Sequence, residues 1–227
     1  MATLRDIKKR ISAVKNIEQI TRAMKMVAAA KLRKAQERIL AARPYARHLK
    51  SVIAHVAGRV PGDMHPLLNP HPAHHGVSAL VVTADRGLCG SFNAGILRRT
   101  RRFLQEQEGS AGGPVRLYLV GRKAVGFFKF HPVETFGSMQ DFFRTLHFSH
   151  GVKVAEDLVT HYLTEKPSAL YVIYNEFKSA IAQRVVVEKL LPFTPAELPP
   201  THRTDLIYEP NDPELLLIDL LKLDLEV

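Results

Sequence analysis

The chain of 227 residues contains one cysteine and no tryptophan. The lone thiol, Cys89, excludes an internal disulfide and suits a reducing compartment such as the cytosol. No apolar run approaches the roughly 18 to 20 residues that a bilayer-spanning helix needs. The charged start, Met1 to Arg10, has no apolar core ahead of a cleavage site, so no secretory leader is expected. Its Arg-rich, acid-poor composition is like that of an organelle transit peptide, but the apolar patterning continues far beyond the length of one. Glycine is absent before Pro44, and acids are scarce over the first fifty residues. Only Asp6, Glu18 and Glu37 stand there against fourteen Lys and Arg, a balance of +11, whereas the whole chain carries +10. The remainder is therefore close to neutral. With 46% hydrophobic residues the chain has room for one ordinary domain plus a cationic appendage.

The appendage reads as a helix. Apolar positions run Leu4, Ile7, Ile11, Val14, Ile17, Ile20, Met24, Val27, Leu32, Ala35 and Ile39, a mean step of 3.5 residues. That is the coiled-coil period, shorter than the 3.6 of a globular surface helix. Thr3, with Asp6 three residues on, supplies a capping start. Forty such residues make a rod of about 60 Å, and a rod with an apolar seam needs a partner.

Three readings of the charge stand at this point: a solvated stalk, a nucleic-acid binder, or a rod facing an acidic protein surface. Stacking aromatics are absent before Tyr45, and no zinc or helix-turn-helix signature occurs, which weighs against nucleic acid. Between Ile20 and Gln36, Met24, Met26 and three alanines make a slim section flanked by Arg22, Lys25, Lys31, Arg33 and Lys34. It suits either adaptable sliding contact or a tight Ala-mediated helix crossing.

Residues 44 to 76 read as a connector: Pro44, a second helix through Val56, then a loop rich in proline with His65, His71, His74 and His75. No Cys or Glu stands at zinc spacing, so a solvated loop is expected there. From Ser78 the pattern alternates. Strands are expected at 79–83, 115–120, 169–174 and 184–188, and helices at 94–107, 122–130 and 152–163, in the manner of a nucleotide-binding α/β fold.

The motifs for chemistry fail one by one. Gly121-Arg-Lys-Ala-Val-Gly126 has phosphate-loop glycine spacing, but Phe127 and Phe128 stand where Lys and Ser or Thr are required. Asp85-Arg-Gly-Leu-Cys-Gly90 is a turn leading into a helix, where an anion could sit. Cys89 has no His or acid placed to activate it. A structural turn is the expectation for Asp85, Arg86, Gly87 and Gly90, with no catalytic residue, cofactor or metal.

Two stretches are very specific. The segment Ile17 to Gln36 and Asp85-Arg-Gly-Leu-Cys-Gly-Ser-Phe-Asn93 closely resemble the gamma-subunit family of the rotary, proton-translocating ATP synthase. Tyr174-Asn-Glu-Phe177 and Ile207-Tyr-Glu-Pro210 extend the likeness along almost the whole chain. The resemblance implies a long N-terminal coiled-coil helix (1–57), a Pro/His-rich linker (58–76), a Rossmann-like α/β domain with a mostly parallel sheet (77–200), and the start of a C-terminal helix (201–227). It implies a non-catalytic central-stalk rotor coupling proton flow to ATP synthesis. The implied partners are the catalytic and noncatalytic subunits of the head, the epsilon subunit and the membrane rotor ring, with no nucleic acid. The implied location is peripheral, on the cytoplasmic face of the bacterial inner membrane.

By that resemblance Met24, Lys25, Arg33 and Lys34, with Arg22 and Lys31, are the candidates for contact with an acidic loop of the catalytic subunits. Cys89 alone cannot form the disulfide switch of the family's chloroplast members. The family continues into a second long helix. Here the helix that Glu209-Pro-Asn-Asp-Pro213 introduces, 214–221, is followed by an end at Val227, so either a truncated subunit or a variant whose rod finds its partner elsewhere is expected, with impaired rotary competence in both cases. The alternative function is a non-catalytic adaptor that binds nucleic acid or anionic surfaces through its basic helix. An α/β enzyme comes last, because no site assembles.

Overall fold

A computed structural model describes residues 3–57, 66–68, 71, 76–108, 113–179, 182–193, 217, 219–221 and 223. The chain divides into two compact units, Met1–Leu49 and Lys50–Val227.

The first unit is helical throughout its described length. Helix α1 runs Leu4–Ala57 and so extends into the second unit. Thr3 opens it: the Thr3 backbone N–H and hydroxyl donate to the Asp6 carboxylate at 3.1 and 2.7 Å, and the Asp6 N–H returns a bond to the Thr3 hydroxyl at 3.3 Å. The expected break into two helices at Pro44 does not occur, since Pro44 lies inside α1. Proline removes the donor that the Leu40 carbonyl would use, an interior cost of about 3 kcal/mol. Leu40, Ala41, Ala42 and Ala46 are strong helix formers on either side and carry the helix through.

The second unit is built on a five-stranded sheet of order β3-β2-β1-β4-β5. Its strands are β1 Val77–Val82, β2 Val115–Val120, β3 Thr135–Met139, β4 Ala169–Phe177 and β5 Gln183–Leu191. The pairings β1–β2, β1–β4 and β2–β3 are parallel, while β5 returns antiparallel along β4. This is the expected Rossmann-like, mostly parallel sheet. Three helices cover it: α2 Phe92–Glu108, α3 Arg122–Phe128 and α4 Phe148–Glu165. Alternation along the strands separates the layers. Val77, Ala79 and Val81 point into one core with Ile96 and Phe103 of α2 and Phe128 of α3. On the other face, Ser78 reaches His161 of α4 at 2.8 Å, and the Tyr118 hydroxyl donates to Asp157 of α4 at 2.7 Å. Burying each such large apolar side chain contributes about 1.5–3 kcal/mol.

Strand β3 has no counterpart in the sequence reading. It is a short edge strand containing Gly137 and Ser138, so neither an apolar run nor a clean alternation announces it. Gly137 is required there: a Cβ would lie 2.4 Å from the Tyr118 ring that crosses it. Helix α4 begins at Phe148, four residues earlier than expected, and runs through Gly151. His150 compensates by accepting the His147 backbone N–H on Nδ1 at 3.1 Å.

The linker is not simply a solvated loop where it is described. Leu67 and Leu68 are buried, and the Leu67 carbonyl accepts the Phe193 N–H at 2.9 Å. The His71 ring packs on Tyr162 at 4.9 Å. His65, His74 and His75, like the 207–210 segment and the expected helix start at 209–213, lie outside the described residues. Of the expected 214–221 helix, residues 217 and 219–221 are described and are helical, with Leu217 and Leu221 buried.

Candidate subunit-contact surface

Helix α1 leaves its seam uncovered. Ile7, Ile11, Val14, Ile17, Ile20, Met24 and Val27 are all exposed, Ile17 and Ile20 by 59% each. A 3.5-residue repeat on a straight 3.6-residue helix drifts by about 20° per heptad. The stripe therefore winds slowly round α1, and a partner helix that follows it must supercoil left-handed. Thr21 lies beside this stripe with its hydroxyl bonded back to the carbonyls of Ile17 and Glu18, both at 2.9 Å.

The six sequence-derived contact residues are all exposed, but they do not form one patch. At 3.6 residues per turn, Arg22, Lys25 and Arg33 share one side of α1. Met24 and Lys31 share the side of the seam residues Ile17, Ile20 and Val27, and Lys34, seven residues after Val27 and three after Lys31, lies on that side as well. Arg33 is engaged by Glu37 at 3.0 Å, an exposed i,i+4 pair of about 0.3–0.5 kcal/mol. The cations thus sleeve the rod and do not converge on a pocket.

At the sheet's C-terminal edge the Asp85 turn is organised by side chain–backbone bonds. Asp85 Oδ1 accepts the N–H of Arg122 at 2.9 Å and of Asp141 at 3.0 Å, and Oδ2 accepts that of Phe143 at 3.4 Å. Partial burial pushes the Asp85 carboxyl up. The three N–H donors and the Arg122 guanidinium outweigh it, and its pKa falls below the ordinary value of 3.8. Arg122 in turn pairs with Asp141. Asn93 ties the rest of the turn, accepting the Ala84 N–H at 2.9 Å and donating to Arg86 O at 3.3 Å and Cys89 Sγ at 3.0 Å. Leu88 at the tip is 97% exposed with φ 60°, and Gly90 has φ 57°. Arg86, Gly87 and Cys89 are exposed as well.

This geometry explains the false phosphate loop. Gly121 has φ 91°, and a Cβ there would lie 2.3 Å from the Thr83 carbonyl oxygen. The glycine serves close approach of the β1 end to the β2 end. Thr83 completes the joint, its hydroxyl donating to Val120 O and accepting the Ala124 N–H, both at 2.9 Å. Residues 122–128 are helix and not loop. The N–H of Arg122, at the start of that helix, is held by the Asp85 carboxylate, so the protein supplies its own anion.

Sequence reasoning passed over the roles of Asp141 and Arg122, whose partner Asp85 is distant in the chain. Asn93 stands in the Asp85-to-Asn93 stretch itself, and its partners lie only four to nine residues before it. Sequence reasoning also averaged away the run Arg98-Arg-Thr-Arg-Arg102, whose charge cancels against acids elsewhere. Among the described residues no group of three or more His, Cys, Asp or Glu could hold a metal ion, and no helix is long and apolar enough to cross a membrane.

A sheet with its C-terminal edge tied by its own side chains, on a chain whose long helix presents an uncovered seam, defines an assembly subunit of the stalk type. A family model described as ATP synthase matches residues 3–227. The ATP synthase gamma chain of Desulfitobacterium hafniense is 40% identical over 216 residues, covering 95% of this chain and 74% of that protein. That of Anaeromyxobacter sp. (strain Fw109-5) is 43% identical over 225 residues, covering 97% and 77%. The chain belongs to the ATP synthase gamma-chain family and spans about three-quarters of the length of these relatives. Its fold is that of the central stalk in the structure of the Tetrahymena thermophila mitochondrial ATP synthase central stalk and c-ring. The TM-score is 0.64 at 24% identity, over 91% of this chain and 88% of that one. A Euglena gracilis rotor structure matches with TM-score 0.53 at 21% identity, over 84% and 63%. No observation favours the nucleic-acid adaptor.

Proposed function

We propose that this chain works as the central-stalk rotor subunit of a rotary ATP synthase, coupling proton flow through a membrane rotor ring to ATP synthesis in the catalytic subunits of the head. It is a non-catalytic part of that machine. The observation that carries the reading is the uncovered 3.5-residue seam on the 54-residue helix α1. Such a stripe stabilises a structure only when another helix covers it, and a shaft inside a ring of subunits covers it along its length.

The cationic sleeve has a mechanical use. Arg22, Lys25, Lys31, Arg33 and Lys34, with Met24 between them, suit contact with acidic loops of the catalytic subunits. Charges spread round a rod present a similar field at every rotation angle, so no single orientation becomes a trap. The Asp85, Arg86, Gly87 and Gly90 turn serves packing of the α/β unit and its neighbours and performs no chemistry. The epsilon subunit and the rotor ring are the partners of the globular part. That places the protein at the membrane surface as a peripheral component, on the cytoplasmic face in a bacterium.

Co-expression with the catalytic and noncatalytic head subunits tests the reading. The expected result is a stable complex free of nucleic acid, in which the chain rotates during ATP hydrolysis. Recovery of the chain alone, or with nucleic acid and without head subunits, overturns it.

A further inference from the structure

Helix α2 carries four arginines in five positions, Arg98, Arg99, Arg101 and Arg102, in a part of the chain that is near neutral only because they are there. Arg99 pairs with Glu106 at 3.0 Å along one flank. Arg98, Arg101 and Arg102 are exposed and stand in no ion pair among the described residues. Their i, i+3, i+4 spacing puts them on one face, turned away from the buried face of Ile96, Thr100 and Phe103.

Beside them lies an open groove of about 500 Å³ with Leu97 of α2 and Phe127 of α3 in its lining. Arg101, Gln105 and Glu108 also line a second hollow of about 260 Å³, which reaches Leu104, Phe128 and Val133. The His131 ring stacks on Phe127 at 4.2 Å and holds it in place. An apolar floor thus runs between α2 and α3, with a cationic rim along the larger hollow and Glu108 at the edge of the smaller one.

We propose that this α2–α3 groove docks an acidic protein segment, whose aliphatic side chains enter the floor while its carboxylates meet Arg98, Arg101 and Arg102. Guanidinium groups bind carboxylates through paired N–H donors, which suits a peptide bearing Asp or Glu. A free inorganic anion leaves the floor uncovered. A bilayer surface cannot enter a concave groove, and a nucleobase finds the Phe127 face already covered by His131. The site lies within the α/β unit, uses no residue of α1, and stands whether or not the rotor reading holds.

The probe is a synthetic helical peptide of glutamates and leucines carrying a photoreactive group, added to the full-length protein at low salt. Cross-links are expected on α2 and α3. The combined variant Arg98→Gln, Arg101→Gln, Arg102→Gln weakens binding there about tenfold or more, as does replacing the peptide's leucines by serine. All three arginines are exposed, so an unchanged circular dichroism spectrum and melting temperature are expected. Neutralising Arg5, Lys8 and Lys9 on α1 leaves the cross-link yield in the groove unchanged. The proposal fails if cross-links follow charge onto α1, or if the serine peptide binds as tightly. It also fails if anionic vesicles or duplex DNA displace the peptide through the same arginines.

Discussion

Asp85 and Arg122, far apart in sequence, meet at the C-terminal edge of the sheet, where the Asp85 carboxylate accepts the Arg122 backbone N–H at 2.9 Å. In a doubly wound fold this edge is where a ligand phosphate commonly rests against a helix start. Here a carboxylate from the end of β1 takes that place and locks the start of α3 and the loop after β3 together.

Replacing Asp85 by Asn keeps the shape but loses the charge and sets an amide against backbone donors. A loss of about 1 kcal/mol is expected, modest because the group is partly solvated. The Asp85 pKa is held below 3.8. Its stabilisation is complete above the unfolded value and is lost as pH falls through the lower folded value. Urea unfolding of both proteins checks this: their difference should be constant near neutrality and close below pH 3.8.

His161 is linked to acid in the same direction as Asp85, but through burial of a neutral ring. It is 7% exposed, and burial first, then Arg116, holds its pKa below 6.5 against the pull of Glu165 and Glu134. The unfolded chain therefore takes up this proton first, and stability falls as pH drops from 6.5 toward the folded value. His161→Gln costs about 1 kcal/mol at pH 8 if its bond to Ser78 is imperfectly replaced. It also flattens the stability profile below pH 6.5, as read from unfolding midpoints.

Gly137→Ala drives a methyl into the Tyr118 ring, 2.4 Å away. The ring must tilt off β3, which strains its 2.7 Å bond to Asp157. A loss of about 1–3 kcal/mol follows, seen as a lower melting temperature. In the Tyr118→Phe background, where that bond is already gone, the additional loss should be smaller; an equal loss would mean the two residues do not act together.

Ile11→Asp and Ile17→Asp separate folding from assembly. Both residues are exposed on α1, so the melting temperature of the chain alone should move by less than about 0.5 kcal/mol equivalent. Co-purification with head subunits should be lost. Lys25→Glu combined with Lys34→Glu should also weaken capture, and lowering the salt should not restore it, because the sign of the contact is reversed.

Much of this was legible along the chain. The rod, its seam, its charge and its Thr3–Asp6 cap are local patterns, and the alternating strands and helices of the α/β unit are nearly so. Pro44 misled because its local penalty is outweighed by alanines on both sides. Strand β3 escaped because Gly137 is there to receive Tyr118, a partner that no neighbouring residue reveals. The phosphate-loop likeness of Gly121 to Gly126 fails on composition, at Phe127 and Phe128. The reason for Gly121 emerges only when Thr83 is seen pressed against it.

By itself the sequence determined what repeats or alternates: a cationic helix with a coiled-coil period and a mostly parallel sheet. These follow from periodicity and residue chemistry, which act between near neighbours. Tertiary structure alone decided that Asp85 occupies the start of α3, and that the arginines of α2 flank an apolar groove with Phe127. Those outcomes depend on packing between residues many positions apart, whose distances no local pattern encodes.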